Sequence, residues 1–329
     1  MKKIICDPNA VVTDELQGFA KAYPTVKYSA EFEVIYRAEQ TKEKVGLVSG
    51  GGSGHEPAHA GYVGRGMLDA AVAGNVFSSP SPDRILEGIK RADTGKGVLL
   101  VIKNYSGDVM NFDLAKELAE MEGTKVESVV VRDDVAVPDS TYSTGRRGIA
   151  GTVFVHKIAG AKAETGADLS EVKAVAEKVI ANVRSMGMAM SPCTIPAVGK
   201  PGFKLGENEI EIGMGIHGEP GVEKTLIKNA AEIANILLTK ILEDFDYEKS
   251  EVAVMVNGLG STPLMELYIL NNEVEKILSS KGISIYRTFV GNYMTSLEMT
   301  GCSISLLKLD DETKTLLDAP SDASAFFVR

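Results

Sequence analysis

Cysteine is scarce in this sequence. Cys6, Cys193 and Cys302 are odd in number, far apart and form no Cys-x-x-Cys, which signals neither a disulfide framework nor a zinc site. A reducing cytosol fits that usage, and we expect a cytoplasmic protein. Long apolar runs are also missing. None approaches the roughly 18 residues of a spanning helix, and the opening Met1-Lys2-Lys3-Ile4-Ile5-Cys6-Asp7-Pro8 lacks a signal-peptide core, so no membrane partner is expected. Positive charge is in deficit: 35 basic against 45 acidic residues give a formal charge of −10, which repels phosphodiester backbones and argues against direct nucleic acid binding. Nucleotide signatures fail as well. No Gly-x-x-x-x-Gly-Lys-Ser/Thr is present, and a Gly-x-Gly-x-x-Gly frame begun at Gly50 puts His55 at the last glycine position. No cofactor is therefore expected on this chain, and the His and Cys spacing signals no metal.

Against these absences stands one glycine-dense stretch. Val45-Gly46-Leu47-Val48 reads as an inner parallel strand, and it breaks into Ser49-Gly50-Gly51-Gly52-Ser53-Gly54-His55-Glu56-Pro57, a turn that lets a ligand reach main-chain amides. In open α/β sheets ligands collect beyond the carboxyl ends of strands, so the spacing puts His55 where chemistry is done.

At 329 residues the chain is long for one core, and two α/β domains are expected, each a β-sheet flanked by helices. We place a larger domain with a largely parallel or mixed sheet at residues 1–185 and a smaller one at 186–329. Periodicity predicts helices over 13–22, from the start Ser81-Pro82-Asp83 toward Gly95, through Leu114, Leu118 and Met121, over 152–162, over 170–185 capped by Ser170, over 222–244 and over 264–278. Strands are expected at 34–36, 45–48, 97–102, 126–131, 209–212, 252–256, 283–290 and 302–308, with a short helical segment between Pro57 and Gly66 and a loop over 74–80. Asp133 and Asp134 read as the solvated exit of a strand. The turn-rich stretch 140–151, with Arg146 and Arg147, reads as structural or interfacial. From Asp318 the chain reads as loop, with Phe326-Phe327-Val328 docking back on the N-terminal domain.

The strand 97–102 runs into Lys103-Asn104-Tyr105-Ser106-Gly107-Asp108, repeating the strand-to-polar-turn geometry of the first motif. A βαβ order puts both turns at one sheet edge, so His55 and Asp108 should reach one ligand. A second histidine turn follows in Gly213-Met214-Gly215-Ile216-His217-Gly218-Glu219-Pro220-Gly221. Of four histidines, His55 and His217 sit among glycines, whereas His59 and His156 fall on helical segments. An imidazole so little shielded serves as base, acid or nucleophile.

These three motifs together resemble the substrate-binding K subunit of the dihydroxyacetone kinase family, over essentially the whole chain. The resemblance implies a two-domain α/β fold, usually a homodimer, in which a ring nitrogen of His217 adds to the ketone carbon of dihydroxyacetone and holds it as a hemiaminal. It also implies that Gly52, Ser53, Gly54, Lys103 and Asp108 line the substrate, that His55 assists proton transfer, and that Asp108 is the base for the hydroxyl that receives phosphate. The phosphoryl group then comes from a separate L subunit holding ADP with Mg, recharged from phosphoenolpyruvate through an M subunit of the phosphotransferase system; an L subunit exchanging ATP is the variant of this scheme. Residues 75–82 are a candidate docking edge. Two other readings compete: a dihydroxyacetone sensor that co-activates a transcription regulator, and a Schiff-base lyase acting through Lys103.

Overall fold

A computed structural model describes residues 2–138 and 145–329. The first half holds α1 (Val11–Ala22), β1 (Val26–Ser29), β2 (Val34–Arg37), β3 (Gly46–Ser53), β4 (Gly64–Arg65), β5 (Ala70–Val76), α2 (Pro82–Ala92), β6 (Val98–Lys103), α3 (Ser106–Met121), β7 (Val126–Val131), α4 (Thr152–Glu164) and α5 (Leu169–Asn182). The second holds β8 (Val183–Ser191), β9 (Glu209–Ile212), β10 (Glu223–Leu226), α6 (Ala230–Asp244), β11 (Glu251–Gly258), α7 (Leu264–Ser280), β12 (Ser284–Gly291), β13 (Thr300–Lys308), α8 (Asp311–Asp318), β14 (Ser321–Ala323) and β15 (Phe326–Val328).

Two six-stranded sheets result, ordered β1-β2-β5-β3-β6-β7 and β10-β9-β8-β13-β11-β12. In the first, β5, β3, β6 and β7 are parallel, with β2 and β1 antiparallel at one edge. In the second, only β11 and β12 are parallel. Residue parity along a strand decides which layer each side chain joins. On β6, Val98, Leu100 and Ile102 pack with Ile85 and Phe112 of α2 and α3, while Leu99 and Val101 pack with Val153, Ile158 and Val175 of α4 and α5. On β11, Val252, Val254 and Val256 face Leu237 and Val274 of α6 and α7, while Ala253 and Met255 join the same core as α4 and α5. The helices α4 and α5 thus lie between the sheets and bind the two halves through one shared core.

Several local expectations change. The first glycines are not a turn, since β3 continues through Ser53. Their missing side chains admit close neighbours instead: a Cβ on Gly50 would stand 2.3 Å from the Val72 carbonyl oxygen, and one on Gly52 would stand 2.5 Å from the Ser78 nitrogen. The loop expected from residue 74 begins only after β5 ends at Val76. Between Pro57 and Gly66 only a single 3-10 turn forms, Ala60–Tyr62, so His59 lies beside a turn and not within a helix. Leu114 and Met121 mark α3 but are exposed, while Phe112, Ala115 and Ala119 face the core. Asp168, not Ser170, caps α5 through a reciprocal bond with Glu171, and the chain from Val183 joins β8, which crosses residue 186. The long helix expected over 222–244 is split into β10 and α6, because Asn229 and Glu232 form a capping box. The end of the chain is ordered by α8, β14 and β15, with β14 also pairing with β4; Phe326 and Val328 are buried while Phe327 is exposed.

Asp133 and Asp134 are not solvated. Both are buried, Asp133 accepting from the amides of Ile149 and Gly151 and Asp134 from Arg147 and the Ala136 amide. Of the stretch 140–151, residues 140–144 lie outside the described residues. Arg146 pairs with Asp244 and Arg147 with Asp134, the structural role expected of them.

Candidate functional site

The carboxyl ends of β3 and β6 deliver the first two motifs to one edge of the first sheet, and the β9–β10 loop brings the third across from the second. His55 lies just beyond β3 and, contrary to the expectation of a ring little shielded among glycines, is wholly buried, because Phe77 and the 295–297 segment from elsewhere in the chain cover it. Its Nδ1 stands 2.7 Å from the Thr295 carbonyl oxygen, which only accepts, so Nδ1 carries the proton and Nε2 is left bare and unpartnered among the described residues. Burial, then the nearby His217 and Lys103, hold this imidazole well below its usual pKa, against the opposing bond to Thr295. His55 is therefore neutral. The segment carrying it is fastened to residues 295–297, for the Thr295 amide donates to the His55 carbonyl and the Leu297 amide to the Gly54 carbonyl.

His217 presents the same tautomer for a different reason. Its Nδ1 is 2.9 Å from Glu219 Oε1, while its own amide donates to Glu219 Oε2 at 2.9 Å. Burial raises the Glu219 pKa, but the hydrogen bond and charge of His217, and then Arg147, outweigh it and bring it to about 2. An ionised carboxylate accepts from Nδ1, which fixes the neutral form of the ring in the tautomer that leaves Nε2 bare. The ring centroids of His55 and His217 lie 4.8 Å apart. Phe77 stacks on His55 at 5.2 Å and meets His217 edge-on at 5.3 Å; Tyr105 closes another side of His217 at 4.5 Å.

Lys103 ends β6 with its side chain wholly buried, its Nζ 3.5 Å from Asp108 Oδ2 and 3.3 Å from the Gly50 carbonyl. Asp108 lies in the first turn of α3, where the helix dipole favours a carboxylate. Its Oδ1 is buried without a hydrogen-bond partner among the described residues. Gly51 makes room for the pair, since a Cβ there would stand 2.4 Å from Lys103 Nζ and 3.3 Å from Asp108 Oδ2. Of the remaining expected residues, Ser53 donates to the Gly74 carbonyl, and Gly54 lies against Phe77 and Leu297. The sequence motifs thus converge, leaving a bare imidazole nitrogen and an unsatisfied carboxylate oxygen. That combination suits a small polar molecule with an electrophilic carbon and an acidic hydroxyl.

The other two histidines form a separate buried pair, His59 Nδ1 lying 3.1 Å from His156 Nε2. Burial, then Lys103, pulls His59 well below its usual pKa and His156 to about 3. A cavity of about 900 Å³ touches Ser53, Gly54 and Glu56 but none of His217, Lys103 and Asp108, so size does not mark the chemistry here. Among the described residues no cluster of three or more His, Cys, Asp or Glu side chains is placed to hold a metal ion. Nor is any described helix long and apolar enough to cross a membrane.

Sequence reasoning missed Glu219, Thr295 and Phe77. Glu219 was signalled by its place two residues after His217. Thr295 lies 240 positions from its partner, and nothing local announced it.

Residues 17–325 match the Dak1 domain family model. The chain is 55% identical over 329 residues, 99% of this chain and 100% of the relative, to the PTS-dependent dihydroxyacetone kinase 1, dihydroxyacetone-binding subunit DhaK, of Listeria innocua. Among solved structures it resembles the dihydroxyacetone kinase of C. freundii in complex with AMP-PNP and Mg2+, with TM-score 0.93 and 35% identity, covering 99% of this chain and 61% of that longer one. It also resembles the dihydroxyacetone kinase operon co-activator DhaQ, with TM-score 0.92 and 37% identity, covering 96% of this chain and 98% of that chain.

Proposed function

This chain belongs to the Dak1 domain family, and from that membership we propose that it is the dihydroxyacetone-binding subunit of a phosphoenolpyruvate-dependent dihydroxyacetone kinase. The observation that carries the reading is the 2.9 Å contact of His217 Nδ1 with Glu219, which turns Nε2 of the neutral ring toward use as a nucleophile beside His55. In the first step that lone pair adds to the ketone carbon. The π electrons move to the carbonyl oxygen, which takes up a proton, giving a hemiaminal whose imidazolium charge is matched by ionised Glu219. Glycerol offers no carbon to attack, so covalency separates two similar three-carbon molecules and fixes a ligand with few contacts.

The backbone of Gly52 and Ser53 and the Lys103 ammonium steady the oxygen as charge develops, while Gly54, whose amide donates to Glu56, lines the substrate without a donor of its own. His55 relays the proton. With Nε2 bare, it accepts before it donates, so it must be charged from solvent or a substrate hydroxyl before it supplies the alkoxide. Asp108 then removes the proton of the free hydroxyl, whose oxygen attacks the terminal phosphorus of a donor and releases ADP. That donor belongs to a separate L subunit carrying ADP with Mg, recharged from phosphoenolpyruvate through an M subunit. Residues 75–82, which include Phe77, form the docking edge. A homodimer in the cytoplasm completes this reading and rests on the family resemblance.

The likeness to the co-activator favours a second reading, a sensor that keeps the covalent trap without transfer. Lys103 and Asp108 at the site favour the kinase, because trapping needs no hydroxyl base. The Lys103–Asp108 ion pair also speaks against a Schiff-base lyase, which needs a free amine. Purified protein supplied with L, M and the general phosphotransferase components should convert dihydroxyacetone to its phosphate. Asp108→Asn should keep the adduct and lose turnover by about a hundredfold or more, and His217→Ala should lose both. Normal turnover in Asp108→Asn would remove its role as base, and an adduct without turnover in the native protein would favour the sensor.

A further inference from the structure

The device that makes His217 reactive is shared between the two halves of the chain. Glu219 takes two donors from one residue, the His217 amide and Nδ1, both at 2.9 Å. The imidazole is thereby locked in both tautomer and orientation. A cation stands near Glu219 without pairing with it. Arg147, from the connection between β7 and α4, donates to the Gly213 carbonyl at 2.8 Å, and a Cβ on Gly215 would stand 2.0 Å from Glu219 Oε2 and 2.5 Å from Arg147 Nη1. The guanidinium and the carboxylate therefore close over Gly215 side by side, with no space for a side chain there. Behind them Asp134 anchors the arginine through Nε at 2.8 Å and Nη2 at 2.7 Å, and its own Oδ1 is tied to the Ala136 amide.

We propose that Glu219 is the positioning residue that makes His217 a nucleophile, and that Arg147, reaching over from the first half of the chain, supports it as a nearby positive charge across Gly215. This rests on the reading of His217 as the nucleophile. The consequence is a coupling between folding and reactivity. The loop bearing His217 belongs to the second sheet, while the cation beside its carboxylate comes from the segment that follows β7 of the first sheet and is bridged by Asp134 to Ser185 of β8. Reactivity then requires the halves to be docked. When Nε2 bonds to carbon the ring becomes cationic, and an ionised acceptor on Nδ1 stabilises that product more than a neutral one does, because charge-assisted hydrogen bonds are about twice as strong.

Nitrogen NMR of histidine-labelled full-length protein without ligand reads the tautomer directly. The native chain should show His217 protonated at Nδ1 and bare at Nε2. Glu219→Ala should lose that preference, and its adduct with carbon-labelled dihydroxyacetone should weaken by at least about tenfold. Glu219→Gln, nearly isosteric, should keep the tautomer through its amide oxygen yet still weaken the adduct by about tenfold. Arg147→Met should keep the tautomer and weaken the adduct in the same direction. A native tautomer and native adduct in Glu219→Ala would overturn the proposal, as would a native adduct in Glu219→Gln, the variant that decides should the alanine change unfold the loop. Should the tautomer shift as expected while even the native chain forms no adduct, the positioning role stands and the substrate assignment fails.

Discussion

Single residues decide the chemistry here through what each ring nitrogen touches. His55 and His217 have the same tautomer, yet one is held by a neutral carbonyl and fully buried, and the other by a carboxylate beside an arginine. On the proposed reading the first relays a proton and the second is the nucleophile. Burial of His55, His59 and His156 in neutral form also has a stability consequence. Their folded pKa values lie below the unfolded value near 6.5, so between those limits the unfolded chain binds more protons and stability rises with pH. Each histidine contributes a slope of about 1.4 kcal/mol per pH unit between those limits, so its stabilisation is fully present above pH 6.5 and is lost as pH falls toward the folded values. Chemical denaturation from pH 7 to 4 should show a steep loss, less steep in His156→Leu; an unchanged slope in that variant would mean His156 is charged in the fold. Most of the site was legible at this scale, because glycine-walled histidines and the Lys103–Asp108 turn are local patterns. Thr295 was not, since its role exists only after distant segments meet, and Arg147 was legible only as a structural or interfacial residue.

Elements explain why the glycines are where they are. The glycine run reads in the sequence as a turn, because glycine permits unusual backbone angles; in the fold Gly50 and Gly52 instead let β5 and the loop after it approach β3. Gly50→Ala would drive a Cβ against the Val72 carbonyl, a backbone atom 2.3 Å away, and should cost about 1–3 kcal/mol in urea unfolding while weakening ligand binding at the end of β3. Unaltered stability would show that the strands separate freely. Parallel inner strands announced themselves through β-branched runs such as 98–102 and 126–131. The strand β8 did not, because Met186-Gly187-Met188-Ala189-Met190 lacks that signal and gains its extended form from pairing with β13. Likewise the apolar pattern from Val222 concealed β10, whose pairing with β9 outweighs local helical preference, and the start of α6 is set by the Asn229 capping box.

At the scale of the whole molecule, two sheets share the core around α4 and α5, and that shared core makes the site. Neither half holds a complete set: His55, Lys103 and Asp108 come from the first sheet's edge, His217 and Glu219 from the second, and Thr295 from the connection between β12 and β13. Alternation in the sequence revealed two α/β halves but not their docking, which depends on matched burial of residues such as Leu99 and Met255 in one core. The C-terminal hairpin fastens the arrangement by pairing β14 with β4. Whether this assembly bonds its ligand as derived is read most directly by NMR of the protein with nitrogen-labelled histidine and dihydroxyacetone labelled at its carbonyl carbon. The account predicts that the ketone resonance gives way to a tetrahedral carbon coupled through one bond to a His217 nitrogen, and that His217→Ala abolishes it. A ketone resonance that persists at saturating ligand, or a coupling to His55 instead, would contradict it.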